Sequence, residues 1–229
     1  MTAFFRFPQT AHIAWLGTGL PRDDKLLSAE EVARLLDGPV VVEEKVDGAN
    51  LGLSVDPDTG LIRAQNRGQY LNSPFTGQFE RLADWLALHE DRLFDALATD
   101  QLILFGEWLA ARHSLDYDHL PDWFLAFDVY ERATGRFRST MARDALARQI
   151  GLTSVPALFT GHIDGIPSLV DLLHGARSRY RAGPPEGIVI RRQDDTHLIA
   201  RAKLVRADFT QAIGKHWRRR AIEWNRVER

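Results

Sequence analysis

The sequence lacks cysteine, long apolar runs and a large net charge, and each absence excludes a class of protein. Without cysteine the 229-residue chain can form neither disulfide bridges nor thiolate metal sites. No uncharged apolar run is long enough to span a membrane, so no membrane partner is expected. A formal net charge of −2 provides no global attraction for nucleic acid, so any such site must be local. The first residues lack the basic start and apolar run of a signal peptide, which favours a cytoplasmic protein.

Short strands joined by turns, with helices between them, dominate the chain. Ser28 and Glu31 form a capping box at the start of a helix, and residues 56–60 predict a hairpin loop. Because the strands come as antiparallel-looking hairpins with segregated helices, the predicted class is α+β. Predicted strands cover residues 40–46, 49–55, 61–67, 101–110, 123–130, 155–163, 186–192 and 197–206; predicted helices cover 29–36, 76–98, 140–149, 168–181 and 207–226.

A lysine, Lys45, interrupts the apolar strand predicted over residues 40–46. Burial disfavours an ammonium, so burial and neighbouring cations can lower the pKa of this lysine until its free amine becomes a nucleophile. The alternative is a lysine at the strand end whose ammonium reaches water. Asp47 and Gly48 predict a turn that places Lys45 at the rim of the sheet. Asn50 follows on the next strand, with an amide that can orient a phosphate.

Two cations share one face of the strand predicted over residues 197–206. Alternation places Arg201 and Lys203 opposite the apolar face formed by Ala200, Ala202 and Leu204. The pair is either part of a solvated strand face or a two-pronged phosphate clamp, which would also depress the pKa of a neighbouring lysine.

Two carboxylates occupy similar positions in apolar strands. Glu107 interrupts one strand and Glu186 begins another. Each is either a buried acid paired with an arginine or a ligand for a ribose hydroxyl or Mg²⁺. Arg67 precedes Gly68, which permits close approach of a ligand. Phe127 is typical of a core position, but at the rim it can stack on a base.

The last 29 residues form a locally basic tail. Residues 201–229 carry nine basic and three acidic side chains, with Trp217 and Trp224 interleaved. The predicted helix over 207–226 either contacts RNA phosphates, with Arg218, Arg219 and Arg220 as the candidate residues, or packs its tryptophans on the domain. The two roles are not exclusive.

Taken together, the motifs resemble those of covalent nucleotidyltransferases, and specifically those of ATP-dependent RNA ligases. Residues 44–50, Glu-Lys-Val-Asp-Gly-Ala-Asn, are similar to the adenylation motif of that family. A lone Lys-x-Asp-Gly has little specificity, whereas the ordered set extends from about residue 7 to residue 206. The further segments that carry the resemblance are 7–12, 66–68, 105–108, 111–114, 124–130, 186–191 and 201–203.

The resemblance implies a nucleotidyltransferase (adenylation) domain of antiparallel sheets flanked by helices, with an ATP-grasp-like ligase architecture. It also implies a three-step reaction with ATP and Mg²⁺ or Mn²⁺, in which AMP passes to a lysine, then to an RNA 5′-phosphate, and leaves when a 3′-hydroxyl attacks. Such a reaction serves RNA repair. The partner is RNA with 5′-phosphate and 3′-hydroxyl ends, together with a separate end-healing kinase or phosphatase.

The resemblance also implies roles for individual residues. Lys45 carries AMP, Glu107 and Arg67 bind the ribose, and Phe127 stacks on adenine. Asn50 orients phosphate and Glu186 holds the metal. Strand alternation, rather than the resemblance, places Glu44 on the face opposite Lys45, where it is expected to act mainly through its backbone. The implied catalytic set is Lys45, Asp47, Asn50, Arg201 and Lys203; the implied ATP-binding set is Glu44, Lys45, Arg67, Glu107, Phe127, Glu186 and Lys203.

Two departures from the family pattern qualify the resemblance. Arg201 stands where the family usually has lysine; it keeps the charge but cannot lose its proton. Too few residues follow Arg206 for an oligonucleotide-binding barrel, so the expected form is a minimal ligase. Its domains are a nucleotidyltransferase domain over 1–206 and a basic C-terminal helix over 207–229. The alternatives are a DNA ligase or other covalent nucleotidyltransferase, and a non-catalytic nucleic-acid-binding module of the same fold.

Overall fold

The fold is built from two sheets with helices packed against them. The computed structural model describes residues 3–18, 25–99, 101–212 and 222–228. The helices are α1 (Ala29–Leu36), α2 (Leu82–Leu97), α3 (Thr140–Ile150), α4 (Gly165–Gly175) and α5 (Ala207–Ala212), with a 3₁₀ turn at Gly77–Phe79. The strands are β1 (Val40–Lys45), β2 (Ala49–Val55), β3 (Ile62–Gln65), β4 (Leu102–Trp108), β5 (Phe124–Glu131), β6 (Arg136–Phe137), β7 (Thr153–Ser154), β8 (Ala157–Gly161), β9 (Gly187–Gln193) and β10 (Leu198–Val205).

The first sheet has the strand order β10-β9-β1-β8 and is antiparallel throughout. Its apolar face packs against Leu35 of α1 and Leu169 and Leu173 of α4. The start of α1 confirms the predicted capping box, since Ser28 Oγ accepts from the Glu31 amide at 3.2 Å and Glu31 Oε2 accepts from the Ser28 amide at 2.8 Å.

The second sheet has the order β3-β2-β4-β5-β6, with β7 paired to β5. Helices α2 and α3 cover it through a large apolar cluster that contains Leu93, Leu97 and Ile150. Apart from the parallel pair β5–β7, all pairs between the numbered strands are antiparallel, which confirms the predicted α+β class.

The chain crosses from one sheet to the other at residues 46–48. Strands β1 and β2 therefore do not form a hairpin, although they are adjacent in sequence. Gly48 is required by close packing: a Cβ added there would lie 2.5 Å from the carbonyl oxygen of Trp108. Lys45, the last residue of β1, consequently lies beside the gap between the two sheets.

The N-terminal arm packs onto the domain through its aromatic residues. Phe5 and Phe7 join an aromatic cluster with Phe105 and Phe137. Farther along, the arm pairs with β10, since Lys203 donates its amide to the Ala11 carbonyl at 2.8 Å. The arm therefore fixes the backbone of a residue that the sequence motifs single out.

Three predicted helices have different bounds in the structure. The helix predicted over 76–98 is a 3₁₀ turn at Gly77–Phe79 followed by α2 at Leu82–Leu97. Helix α4 occupies Gly165–Gly175 rather than 168–181. Pro167 is tolerated in its first turn because the amide that proline lacks has no intrahelical partner there. Beyond the helix, the Arg179 amide donates to Glu44 at 2.9 Å instead of to a helical carbonyl.

The helix predicted over 207–226 is wrong at its C-terminal end. Helix α5 covers Ala207–Ala212, whereas residues 222–228 are extended and form isolated bridges through Trp224 and Val227. Arg218, Arg219 and Arg220 lie outside the described residues. No helix in the described parts of the chain is long and apolar enough to cross a membrane.

Candidate active site

A cavity of about 520 Å³ lies between the two sheets. Its walls come from β1, β9 and β10 on one side and from β2, β4 and β5 on the other. Asp47 does not line it. The residues singled out from the sequence that do line it are Glu44, Lys45, Asn50, Arg67, Glu107, Phe127, Glu186, Arg201 and Lys203.

Lys45 forms a close ion pair with Glu186 at the cavity wall. Antiparallel pairing sets Lys45 opposite Gly187, so the preceding residue, Glu186, enters the cavity from the neighbouring strand end. Lys45 Nζ lies 2.5 Å from Glu186 Oε2. The lysine side chain is 26% exposed, whereas that of Glu186 is 6% exposed, so a ligand in the cavity can reach the amine.

The expected fall in the pKa of Lys45 is wrong for this arrangement. Burial alone would lower the pKa, but the carboxylates of Glu186, Glu107 and Asp47 outweigh it, and the pKa lies above its ordinary value. Lys45 is therefore an ammonium in the free protein. It becomes a nucleophile only when it gives up a proton, which requires a change in its carboxylate surroundings.

The same crowding acts on the two nearby glutamates. Burial raises the pKa of Glu107 to about 7, and Lys45 only partly offsets this because Glu186 repels the same charge. Burial likewise raises the pKa of Glu186 to about 7. The single ammonium of Lys45 thus lies near several acids, and Glu107 and Glu186 gain or lose protons near neutral pH. Glu107 is held in place by the Gly48 amide, which donates to its Oε1 at 3.0 Å.

Glu107→Gln tests this electrostatic description through stability. A folded-state pKa of about 7, above the ordinary 4.5, contributes stability below pH 4.5 that is lost as pH rises through 7. Glutamine keeps the acceptor for Gly48 but cannot ionise. We expect its stability relative to the parent to be more favourable at pH 8 than at pH 4.5 by about 1–3 kcal/mol, measured by urea unfolding. Glu80→Gln, at an exposed glutamate, is the matched control, and a pH-independent difference for Glu107→Gln contradicts the description.

Asp47 faces a loop instead of the cavity. Its Oδ2 accepts from the amides of Ser114 and Leu115 at 2.7 and 3.0 Å, and its own amide donates to Tyr117 Oη at 2.8 Å. Asp47 therefore ties the turn after Lys45 to the loop over residues 109–121. In this geometry, Asp47 can contribute to catalysis only by positioning the turn after Lys45 and through the electrostatic effect of its carboxylate on the lysine.

A buried network of charges lies beneath the cavity. Arg143 donates to Glu43 Oε1 at 2.6 Å, and Arg191 lies 3.5 Å from Glu43 Oε2. Asp128 binds both Arg191 and Arg201. Arg201 is thus committed to a carboxylate while it lines the cavity beside Lys203.

Two aromatic rings, Phe127 of β5 and Phe7 of the N-terminal arm, line the cavity. Phe127 is half-buried and packs edge-on against Phe7, with ring centroids 5.3 Å apart. The guanidinium of Arg201 lies 4.4 Å from the centroid of the Phe7 ring. The combination of flat apolar rings and a planar cation suits a heteroaromatic base.

Glu44 is anchored by its side chain. Its Oε2 accepts from the Arg179 amide at 2.9 Å, whereas Oε1 is buried without a hydrogen-bond partner. Burial raises the pKa of Glu44. The side chain therefore fixes the loop after α4 against the end of β1. The sequence had predicted a role mainly for the backbone of Glu44 and not this side-chain contact.

His113 and Gln78 also line the cavity, and neither was selected from the sequence. His113 Nε2 lies 2.7 Å from Gln78 Oε1, and burial lowers the pKa of the histidine. His113 falls within segment 111–114, which carries part of the resemblance and was the available signal. Phe7 and Asp128 likewise fall within segments 7–12 and 124–130, whereas Gln78 carries no local signal and is brought to the site only by the tertiary fold.

The carboxylates suit a divalent cation that arrives with phosphate. Among the described residues, no group of three or more His, Asp or Glu side chains could hold a metal ion. Glu107 and Glu186 provide hard oxygen donors beside the cavity, and Mg²⁺ is commonly held by one or two carboxylates together with substrate phosphates. The donor set therefore fits Mg²⁺ or Mn²⁺ shared with a nucleotide.

Comparison with known proteins gives a consistent family assignment. A family model described as RNA ligase matches residues 38–205. A search of curated proteins finds no match. The solved structures, in contrast, include several that share the fold.

Several of these structures are of an RNA ligase from Naegleria gruberi. The form with PPi has a TM-score of 0.65 at 16% identity, covering 93% of this chain and 65% of that one. A variant with ATP and Mn has a TM-score of 0.62 at 16% identity, covering 91% and 58%. An archaeal ATP-dependent RNA ligase has a TM-score of 0.60 at 20% identity, covering 88% and 48%. This chain thus spans about half to two-thirds of the length of these proteins, and at such identity the likeness establishes the nucleotidyltransferase fold.

Proposed function

The chain belongs to the RNA ligase family, and on that premise we propose that it is an ATP-dependent RNA ligase. It joins 5′-phosphate and 3′-hydroxyl ends of RNA through an AMP group carried on Lys45 Nζ. The observation that carries the proposal is the lysine itself: its ammonium lies at the wall of a 520 Å³ cavity, 2.5 Å from the Glu186 carboxylate. Lys203 completes the surroundings from β10.

In the first step, Lys45 Nζ attacks the α-phosphorus of ATP. A P–N bond forms, and the bond between the α-phosphorus and the pyrophosphate oxygen breaks. The ammonium must first lose a proton, and Glu186 Oε2, 2.5 Å away, is the nearest acceptor. Because the pKa of Lys45 is raised and that of Glu186 is about 7, the proton is released only when the bound nucleotide and its cation change the charge around this pair. Mg²⁺ or Mn²⁺, held by Glu186 together with the ATP phosphates, would neutralise charge on the phosphoryl oxygens.

The next two steps transfer AMP and seal the RNA. The 5′-phosphate oxygen of RNA attacks the phosphorus of lysyl-AMP, so the P–N bond breaks and the amine regains a proton. A 3′-hydroxyl then attacks the activated 5′-phosphate and AMP leaves. In both steps charge develops on phosphoryl oxygens, which Lys203 and the Asn50 amide are placed to stabilise from the cavity wall.

The remaining residues of the cavity recognise the nucleotide. Phe127 and Phe7 provide a ring surface for adenine. Arg67, which is exposed at the cavity edge, and Glu107 bind the ribose. Glu44, buried at the end of β1, carries the backbone that contacts the base. The roles of Phe127, Arg67 and Glu107 are those implied by the family motifs.

The proposal is tested with nucleotides labelled at the α-phosphate. Incubation with ATP and Mg²⁺ or Mn²⁺ is expected to leave label on the denatured protein, whereas GTP leaves little. Absence of an adduct with any nucleotide overturns the enzyme assignment and favours a non-catalytic binding module. The adenylated protein is then mixed with RNA ends and with nicked duplex DNA. Faster sealing of the DNA than of any RNA substrate makes the protein a DNA ligase instead.

Further parts of the proposal concern regions outside the cavity. We assign the nucleotidyltransferase domain to residues 1–206 and a basic C-terminal segment that belongs to the same domain to 207–229. RNA contact through Arg218, Arg219 and Arg220, a cytoplasmic role in RNA repair and dependence on an end-healing kinase or phosphatase rest on the sequence and on family analogy.

A further inference from the structure

The residues that end the described chain form a strap across the loop that borders the cavity. The strap, residues 222–228, runs beside the loop over residues 109–121, although more than a hundred positions separate them in sequence. Its backbone hydrogen bonds are Arg112 amide to Glu223 carbonyl (2.8 Å), Asn225 amide to Ala110 carbonyl (2.9 Å), Arg226 amide to Tyr117 carbonyl (2.9 Å), Leu120 amide to Arg226 carbonyl (3.0 Å) and Glu228 amide to Leu120 carbonyl (2.8 Å).

Apolar contacts hold the strap at two points. Trp224 packs against the main apolar cluster of the second sheet, and Arg81 lies over its ring with the guanidinium carbon 4.3 Å from the centroid. Val227 packs against a separate cluster that includes Tyr117 and Leu120. The strap is therefore part of the folded domain rather than a free tail.

Asn225 bonds the loop through its side chain at two separate places, Leu109 and Tyr117. It is 2% exposed. Its Nδ2 donates to the Leu109 carbonyl at 2.7 Å, and its Oδ1 accepts from the Tyr117 amide at 2.9 Å. Removal of this amide leaves a buried carbonyl and a buried amide without these partners, which is costly.

The loop in turn holds the turn that follows Lys45. Tyr117 Oη accepts from the Asp47 amide at 2.8 Å, and the Asp47 carboxylate accepts from Ser114 and Leu115. The same loop presents His113 to the cavity. A continuous set of hydrogen bonds thus links Asn225, through Tyr117, to a residue two positions from the lysine.

We infer that Asn225 is a positioning residue for the Lys45 active site and that the strap, through it, sets the geometry of the adenylation step. The expected effect on the rate of adenylation rests on the proposed function, whereas the expected effect on the position of the Asp47 turn does not. Catalysis that depends on positioning is sensitive to displacements of about 1 Å. Movement of the Asp47 turn should therefore affect the attack by Lys45 more than the binding of ATP.

The test compares Asn225→Ala with Glu228→Ala. Glu228 is exposed and contributes a backbone amide to the strap, so its substitution leaves the described contacts in place. Hydrogen exchange is measured at the amides of Asp47, Ser114 and Leu115. We expect these amides to exchange at least about tenfold faster in Asn225→Ala than in Glu228→Ala, while the amides of β9 are unchanged. Unchanged exchange at the loop, or acceleration throughout the fold, overturns the inference.

Self-adenylation supplies the second readout. We expect kcat, here the maximal rate constant of adduct formation, to fall about 10- to 100-fold in Asn225→Ala. The KM for ATP, the concentration that gives half of that rate, should stay within about twofold of the parent. An unchanged kcat overturns the kinetic part of the inference. If the parent protein forms no adduct, the proposed function fails, but the exchange measurement still decides whether Asn225 positions the turn.

Tyr117→Phe provides a variant that keeps the strap intact. It removes the hydroxyl that accepts from the Asp47 amide and leaves the backbone contacts to Asn225 and Arg226. If Asn225→Ala does not fold, this variant carries the same two measurements. We expect faster exchange at the Asp47 amide and a lower kcat. Exchange and kcat equal to those of the parent show that the loop does not act on the turn, which overturns the inference.

Discussion

Lys45→Ala is expected to abolish the covalent adduct, with labelling by ATP reduced at least about 10³-fold. The reason is chemical: the proposed intermediate is a bond between phosphorus and Lys45 Nζ, and alanine has no atom that can form it. The lysine lies in the cavity with its Nζ 2.5 Å from Glu186. Labelled ATP, followed by denaturing electrophoresis, measures the adduct directly.

The substitution also changes the charge balance of the site. Without Lys45, Glu107 and Glu186 lose their nearest cation, so their ionisation costs more free energy in the folded state. We therefore expect Lys45→Ala to be less stable than the parent at pH 8, with the difference becoming smaller near pH 5, where the carboxyls are protonated in both proteins. The labelling assay must be run at a pH where unfolding measurements show that the variant is folded.

Two further variants separate chemistry from charge. Lys45→Arg keeps a cation beside Glu186 but supplies a group that cannot lose its proton, so it too should form no adduct. Lys25→Ala, at an exposed lysine, should label like the parent. An adduct that persists in Lys45→Ala shows that another residue is the nucleophile.

Asp128→Ala is expected to destabilise the fold by about 3–5 kcal/mol. Asp128 is 1% exposed and is the shared partner of Arg191 and Arg201, whose side chains are 2% and 9% exposed. Alanine would leave two adjacent guanidinium groups buried, with Glu43, 3.5 Å from Arg191, as the remaining acid. Removal of one partner from a buried network costs far more than the network contributes relative to apolar residues.

Urea unfolding at neutral pH measures the effect, with Arg136→Ala as the matched control. Arg136 pairs with Asp194 at 3.5 Å with both side chains close to half exposed, and such pairs contribute about 1 kcal/mol or less. A loss below about 1 kcal/mol for Asp128→Ala would show that the two arginines find water or other partners. Asp128→Asn, which keeps the shape and one acceptor oxygen, should lie between the two.

Local patterns predicted the secondary structure well where they depended on neighbours in sequence. The capping box at Ser28 and Glu31, the hairpin between β2 and β3, and the alternation that separates Ala202 from Lys203 all follow from a few consecutive residues. The predicted helix ends were wrong where tertiary contacts compete with helical hydrogen bonds for the backbone. Glu44 takes the Arg179 amide and so keeps the end of α4 short, and the loop over 109–121 takes the backbone of residues 222–228 out of a helix.

The sequence by itself determined the α+β class, most strand and helix positions and, through the ordered motifs, the family and the identity of most cavity residues. The tertiary structure alone decided the state of those residues. The pKa of Lys45 is raised because Glu186, Glu107 and Asp47 converge on it from three parts of the chain, and Arg201 is paired because Asp128 arrives from the other sheet. Electrostatic interactions act over a few ångströms of space irrespective of separation along the chain, so no local pattern encodes them. The strap over 222–228 follows the same rule, since the loop that it pairs with lies more than a hundred positions away in sequence.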